Sequence, residues 1–363
     1  MIQTPAPELD PTSDVAQLTA RLIDIGSVSG NEEALADAVE QALRGLDHLE
    51  VVRDGDCVMA RTTLGRGERV ILAGHLDTVP LPTTPGARGT VPSTWEGGTL
   101  YGRGATDMKG GVAVQLALAA ALTTPSRDIT FVFYDHEEVE ASLSGLGRAA
   151  VSRPDWLAAD FAVLLEPTDG TVEGGCNGTA RFDVRTAGKA SHSARAWMGV
   201  NAIHGAAEVL VRLRDHEPAT MHVDGLDYRE SLNAVRITGG TAGNVIPDST
   251  VVEVNYRFAP DKTPDEAEAY VRTLLEGFDV ERTDAAAGAR PGLQHPAAAA
   301  FVAAVGADPK PKYGWTDVAR FSALGIPAVN FGPGDALLAH TDDEHVHADA
   351  IRACLDALLT WLT

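Results

Sequence analysis

Only three cysteines occur in 363 residues, none in C-x-x-C spacing, so no thiolate metal site is expected and a reducing compartment suits the chain. Basic residues are scarce as well. The balance of 29 Lys and Arg against 51 Asp and Glu gives −22, which argues against nucleic acid or an anionic membrane as partner. No run reaches about 18 uninterrupted apolar residues, so no membrane span is expected. The start, MIQTPAPELDPTSD, has neither a basic cluster nor an apolar run. No secretory leader is expected there, and a cytoplasmic location follows as the expectation. The glycine-rich stretch LYGRGATDMKGG, Leu100 to Gly111, lacks what a phosphate loop needs. Asp107 stands where a dinucleotide fingerprint has its third glycine, and Gly110 follows Lys109 where a P-loop has Ser or Thr. An acid there repels phosphate, so the loop suits a cation or nothing.

What is present is an ordinary globular composition, 44% hydrophobic, at a length that favours two domains of unequal size. Leu18 and Leu22, then Leu35, Val39 and Leu43, recur at helical spacing. Short runs apolar on both faces follow: Val70 to Leu72, Ile129 to Tyr134, Phe161 to Leu165 and Ala328 to Phe331. Such runs suit strands of a covered, largely parallel sheet, and GGVAVQLALAAAL between two of them suits a crossover helix. The expected class is an α/β sandwich with a mostly parallel central sheet. From about Thr179 to Arg290 the pattern changes to strand-like TARFDVRTAG, helical NAIHGAAEVLVRL, alternating SLNAVRITGG and STVVEVNYRFAP, and helical TPDEAEAYVRTLLEGF. The order β-α-β-β-α predicts a small antiparallel sheet backed by two helices, inserted into the larger fold, with DAAAGARPG as the return linker.

Each buried run leads to the same kind of residue. The first leads to His75 and Asp77, the second to Glu137 and Glu138, the third to Glu166, and the fourth, through DALLAH, to His340. Ligands in open α/β sheets bind outside the carboxyl ends of the strands, so these side chains are expected to converge. Singly, each has an ordinary explanation as a surface or hydrogen-bonding residue. Together they form a His/carboxylate set without Cys, which suits zinc, cobalt or manganese in an open catalytic site. Asp77, Asp107, Glu137, Glu138 and Glu166 at one sheet edge would repel one another without cations, and two divalent ions nearly balance them.

GHLDTVP, GRGATDMKGG, the Glu pair, LEP and the late His resemble the dizinc aminoacylase/carboxypeptidase family of metallopeptidases, over nearly the whole chain. The resemblance implies a zinc-exopeptidase-like sandwich in two parts, 1–178 and 291–363, with an inserted ferredoxin-like α+β lid/dimerisation domain at 179–290. It implies two Zn²⁺, with Co²⁺ or Mn²⁺ as possible substitutes. His75 and Glu166 would hold one, Glu138 and His340 the other, and Asp107 would bridge both. Asp77 would fix the His75 tautomer, and Glu137 would carry protons from water to the leaving amine. His192, in GKASHSARAWMGVNAI, would be the lid donor to the oxyanion. The family also implies a homodimer through the lid.

In VEVNYRF, alternation puts Val252, Val254, Tyr256 and Phe258 on one face and Glu253, Asn255 and Arg257 on the other, so Arg257 can clamp a substrate carboxylate. By resemblance Asn244 in TAGNVIPDS, with Thr316 and Asp317 in GWTDVARF, would contact a small acylated amino acid. SARAWMGVNAI, GNVIPD and GWTDVARF are most similar to the actinobacterial type of a deacylase acting on a lysine and cell-wall precursor. Cys176-Asn177-Gly178 and Gly314 to Val318 depart from the segments that such deacylases carry in other bacteria. A deacetylase of an ornithine derivative and a dipeptidase are the near alternatives. A Rossmann-type nucleotide binder would leave the His and Glu set unexplained, and a zinc-dependent binding protein without catalysis would be expected to lack Glu137.

Overall fold

The computed structural model describes residues 8–306 and 308–363, so the first seven residues of the stretch read for a leader lie outside the described residues. The chain divides into two compact units. The first comprises the residues up to Gly174 with Gly292–Lys310 and Arg320–Thr363. Four of its strands, Asp128–Tyr134, Arg69–His75, Phe161–Leu164 and Ala328–Asn330, lie side by side in parallel. The hairpin Glu50–Asp54 and Cys57–Arg61 extends the sheet antiparallel to Asp128–Tyr134, so the sheet is mixed with a parallel centre. The central strands are apolar on both faces because helices cover them, and every residue of Asp128–Tyr134 is buried.

The helices follow from the same patterning. Asp14 caps Val15–Asp24 by accepting the Gln17 amide hydrogen, and Leu18 and Leu22 are buried. Leu35, Val39 and Leu43 of Glu33–Arg44 are buried likewise. Helix Lys109–Ala121 is apolar almost all round and is buried through Ala119, as a helix between sheet and outer helices must be. It reaches the sheet through Gly111, where an added Cβ would come 2.2 Å from the Leu165 carbonyl oxygen. Among the described residues no helix is long and apolar enough to cross a membrane.

The second unit comprises Gly175–Pro291 with Pro311–Ala319. Its sheet runs Ser231–Gly239, Ser249–Phe258, Gly178–Ala187, Asp279–Ala286, antiparallel throughout. Helices Ala207–Asp215 and Pro264–Leu274 pack on it, the latter opened by a capping box between Thr263 and Glu266. Strand Asp279–Ala286 was not predicted, and it takes in Asp284 to Ala286, expected in the linker. An edge strand pairs on one side only and needs few apolar residues, and here only Val280 is fully buried. With it the order becomes β-α-β-β-α-β, the ferredoxin-like arrangement. Residues Cys176 to Gly178 and 311–319, expected with the larger part, also group with this unit. The Asn177 amide donates to the Lys312 carbonyl at 3.2 Å, and Trp315 Nε1 donates to the Ala287 carbonyl at 3.0 Å.

Candidate metal centre

The parallel strands deliver their terminal residues to one edge of the first unit. His75 ends its strand fully buried. Its Nδ1 lies 3.0 Å from the Asp77 carbonyl oxygen and 3.5 Å from Asp77 Oδ1, which leaves Nε2 facing Asp107 Oδ1 at 3.1 Å. The other Asp107 oxygen, Oδ2, lies 3.3 Å from His340 Nε2, and that nitrogen is 2.8 Å from Glu138 Oε1. The Asp107 carboxylate thus addresses a different histidine with each oxygen. Donor atoms of His75, Asp107 and Glu166 lie within 4.8 Å of one another, as do those of Asp107, Glu138 and His340, and those of His75, Glu137 and Glu138.

The local backbone explains how these side chains meet. Asp77 is buried beneath the loop after Asp128–Tyr134, where its Oδ1 and Oδ2 accept the Glu137 and Glu138 amide hydrogens at 3.0 Å each. Ser29 Oγ donates to Asp77 Oδ2 at 2.7 Å. Asp77 therefore seats the Glu pair as well as facing His75. His340 has φ 63° and His136, just before Glu137, has φ 58°, left-handed conformations that a non-glycine residue holds at a cost of about 1–3 kcal/mol.

The electrostatics fit a cation pair. Burial alone would lower the His75 pKa, yet Asp107 and Asp77 hold it well above the usual imidazole value. Asp107 and Glu138 push His340 up to about 10. Burial would raise Asp107, but His340 and His75 keep it well below the usual carboxylate range. Buried and partly buried carboxylates that pull both histidines toward the cationic form are carboxylates in need of positive charge, which is the condition two divalent ions satisfy. Nitrogen and oxygen donors without sulfur suit zinc, cobalt or manganese.

Several residues around the centre have no signal in the sequence. Lys109 Nζ is fully buried and donates to the carbonyls of Leu22 and Ile25 at 3.0 and 2.8 Å, filling acceptors at the end of helix Val15–Asp24. Burial pushes this ammonium down to about 7. Glu344 accepts the amide hydrogens of Thr106 and Asp107, and the third of three consecutive acids in HTDDE reads as surface.

The remaining predicted residues belong to the second unit. His192 is exposed, its Nδ1 accepting the Ala194 amide hydrogen at 3.0 Å, and its backbone pairs with Val245. The Ser193 amide donates to the Asn244 carbonyl at 2.9 Å, which sets His192 beside Asn244. Arg257 lies on the half-buried face with Asn255, whose Oδ1 accepts its Nε hydrogen at 3.2 Å, while Val252, Val254, Tyr256 and Phe258 are buried behind. Thr316 and Asp317 are buried.

Residues 71–363 match the family described as Peptidase family M20/M25/M40. A Mycobacterium tuberculosis protein with the provisional name succinyl-diaminopimelate desuccinylase DapE is 52% identical over 357 residues, covering 98% of this chain and 99% of its own. The succinyl-diaminopimelate desuccinylase of Corynebacterium glutamicum is 44% identical over 368 residues, with 98% of each chain covered. In fold, the chain is similar to the M20 family metallo-carboxypeptidase Sso-CP2 of Sulfolobus solfataricus, at TM-score 0.78 and 15% identity over 96% of this chain and 98% of that one. The mixed sheet, the inserted antiparallel unit and the His/carboxylate cluster accord with these likenesses, and the chain belongs to the metal-dependent peptidase family M20/M25/M40.

Proposed function

We propose that the protein removes the succinyl group from N-succinyl-LL-2,6-diaminopimelate, giving succinate and LL-diaminopimelate for lysine and cell-wall biosynthesis in the cytoplasm. The near full-length identity to relatives named for that reaction carries this reading. His75 and Glu166 would hold one Zn²⁺, Glu138 and His340 the other, and Asp107 would serve both; the grouping of their donor atoms supports the assignment. When bound, the two ions polarise the scissile carbonyl and lower the pKa of water from 15.7 toward about 7. Asp77 orients His75 and seats the Glu pair. Glu137 takes a proton from the attacking water and delivers it to the amine nitrogen as the C–N bond breaks. His192 donates to the oxyanion. Arg257, Asn244, Thr316 and Asp317 contact the acylated amino acid.

We further propose a homodimer through the second unit. Edge strand Ser231–Gly239 carries Val235 and Ile237 at 63% and 47% exposure, and Leu210 and Val211 of helix Ala207–Asp215 are exposed as well. An unpaired strand edge with exposed apolar residues is a template for a second copy.

The reading is tested by release of primary amine from N-succinyl-LL-diaminopimelate, N-acetylornithine and a dipeptide panel, before and after chelation. The succinyl substrate is expected to be cleaved with the highest kcat/KM, activity being lost on chelation and restored by zinc. Preference for acetylornithine or a dipeptide would overturn the substrate, and chelator-insensitive cleavage would overturn the metal.

A further inference from the structure

Asp107 serves the centre only if its carboxylate stands between His75 and His340, and its position depends on the backbone of loop 102–107. One side chain, that of Glu344, takes the amide hydrogens at the Asp107 end of that loop. Glu344 Oε1 accepts the amide hydrogens of Thr106 and Asp107 at 3.0 and 3.1 Å, and Arg103 Nη1 donates to Glu344 Oε2 at 2.7 Å. Glu344 is 0% exposed, so its carboxylate has no water to take the place of these donors. The lacing continues in both directions. The Gly102 amide donates to the Glu344 carbonyl at 3.1 Å, Thr106 Oγ1 donates to the His345 carbonyl at 2.6 Å, and Arg103 Nη1 reaches the Thr341 carbonyl at 3.3 Å. Thr341 follows His340 directly. The two residues of the later chain that meet Asp107, His340 at its carboxylate and Glu344 at its amide, thus lie on one segment tied to the Asp107 loop.

We propose that Glu344 is the positioning residue of the metal centre, holding Asp107 and the His340 segment in the mutual placement that two-ion binding requires. A carboxylate suits this post because one oxygen takes two amide hydrogens while the other meets a guanidinium. Glutamine keeps one oxygen for the amides but turns an amino group toward Arg103, donor against donor.

The inference rests on the two-metal reading, and the full chain tests both. Stripped protein is titrated with Zn²⁺, and the absorption of the Co²⁺-substituted form is recorded, with circular dichroism as the check on folding. Wild type binding two ions and Glu344→Gln, still folded, binding at least one of them about 10–100-fold more weakly with an altered Co²⁺ spectrum is the expected result. Asp128 provides the control. It is a buried acid that accepts the Leu64 and Arg66 amide hydrogens at the opposite end of its strand, so Asp128→Asn removes comparable bonds and should leave zinc affinity unchanged. If Glu344→Gln does not fold, Glu344→Asp carries the test with the same expectation. Wild-type zinc affinity in a folded Glu344 variant overturns the inference, as does equal weakening in Asp128→Asn, or failure of both Glu344 variants to fold. A wild-type protein that takes up no zinc sinks the two-metal reading instead.

Discussion

The adjacent residues Glu137 and Glu138 are chemically identical, and only their surroundings separate them. Glu138 faces His340 at 2.8 Å, whereas Glu137 groups with His75 and Glu138. Glu137→Gln is expected to retain both metals and lower kcat by at least about 10²–10⁴, the usual worth of a general base; turnover near wild type would reassign the base. His192→Ala should lower kcat by about 10²–10³ with metal content unchanged, and an unchanged kcat would make His192 structural. The histidines proposed as ligands set a pH dependence. In the metal-free chain His340 is raised from 6.5 to about 10, so the stability it contributes is full below pH about 6.5 and is lost as pH rises through about 10. Metal needs the neutral imidazole and displaces that proton, so zinc affinity should rise with pH across the same window, about tenfold per unit for each proton displaced. Calorimetric titration in buffers of different ionisation enthalpy counts the protons, and a pH-independent affinity would contradict the assignment.

Among the elements, helix Lys109–Ala121 matters most to the centre. Asp107 stands just before its first turn, Lys109 anchors that turn to the end of Val15–Asp24, and Gly111 lets the helix lie against the backbone at Leu165, next to Glu166. Gly111→Ala adds a methyl that meets backbone atoms, which cannot swing aside as a side chain could. It is expected to cost about 1–3 kcal/mol and lower Tm by about 2–4 °C per kcal/mol. Zinc affinity should fall with it, because Asp107 and Glu166 flank the contact. Thermal melts and zinc titration of this variant check both effects, and no change in either would show that the contact yields without consequence. The glycines that look like a phosphate cradle are in part packing residues.

At the scale of the whole molecule, net charge and assembly are the relevant properties. At −22 the chain repels copies of itself in general, so a homodimer needs a local apolar face. Val235 and Ile237 on the edge strand provide one. If the proposed dimer forms, Val235→Lys is expected to convert it to a monomer in light scattering while the circular dichroism spectrum and zinc content stay as in wild type. A wild-type protein that is monomeric at micromolar concentration would refute the assembly.

The sequence by itself determined the strands and helices whose apolar pattern is strong, together with the residues that gather at the sheet edge. Val70 to Leu72 and Ile129 to Tyr134 are apolar on both faces because buried parallel strands must be, and His75, Glu137, Glu138 and Glu166 follow them at once. Elements with weak periodicity stayed hidden. Strand Asp279–Ala286 needs little apolar surface at a sheet edge, and residues 311–319 join the second unit through isolated hydrogen bonds to backbone carbonyls, one from the Asn177 amide and one from Trp315 Nε1, which leave no periodic pattern. Tertiary structure alone decided which oxygen of Asp107 meets which histidine, that Asp77 seats the Glu pair, that Lys109 closes a helix end and that Glu344 holds the Asp107 loop. Those are contacts between residues as far apart in the chain as 107 and 344. A local pattern records which face of an element is buried, whereas the partner a buried polar atom finds is set by how the elements pack.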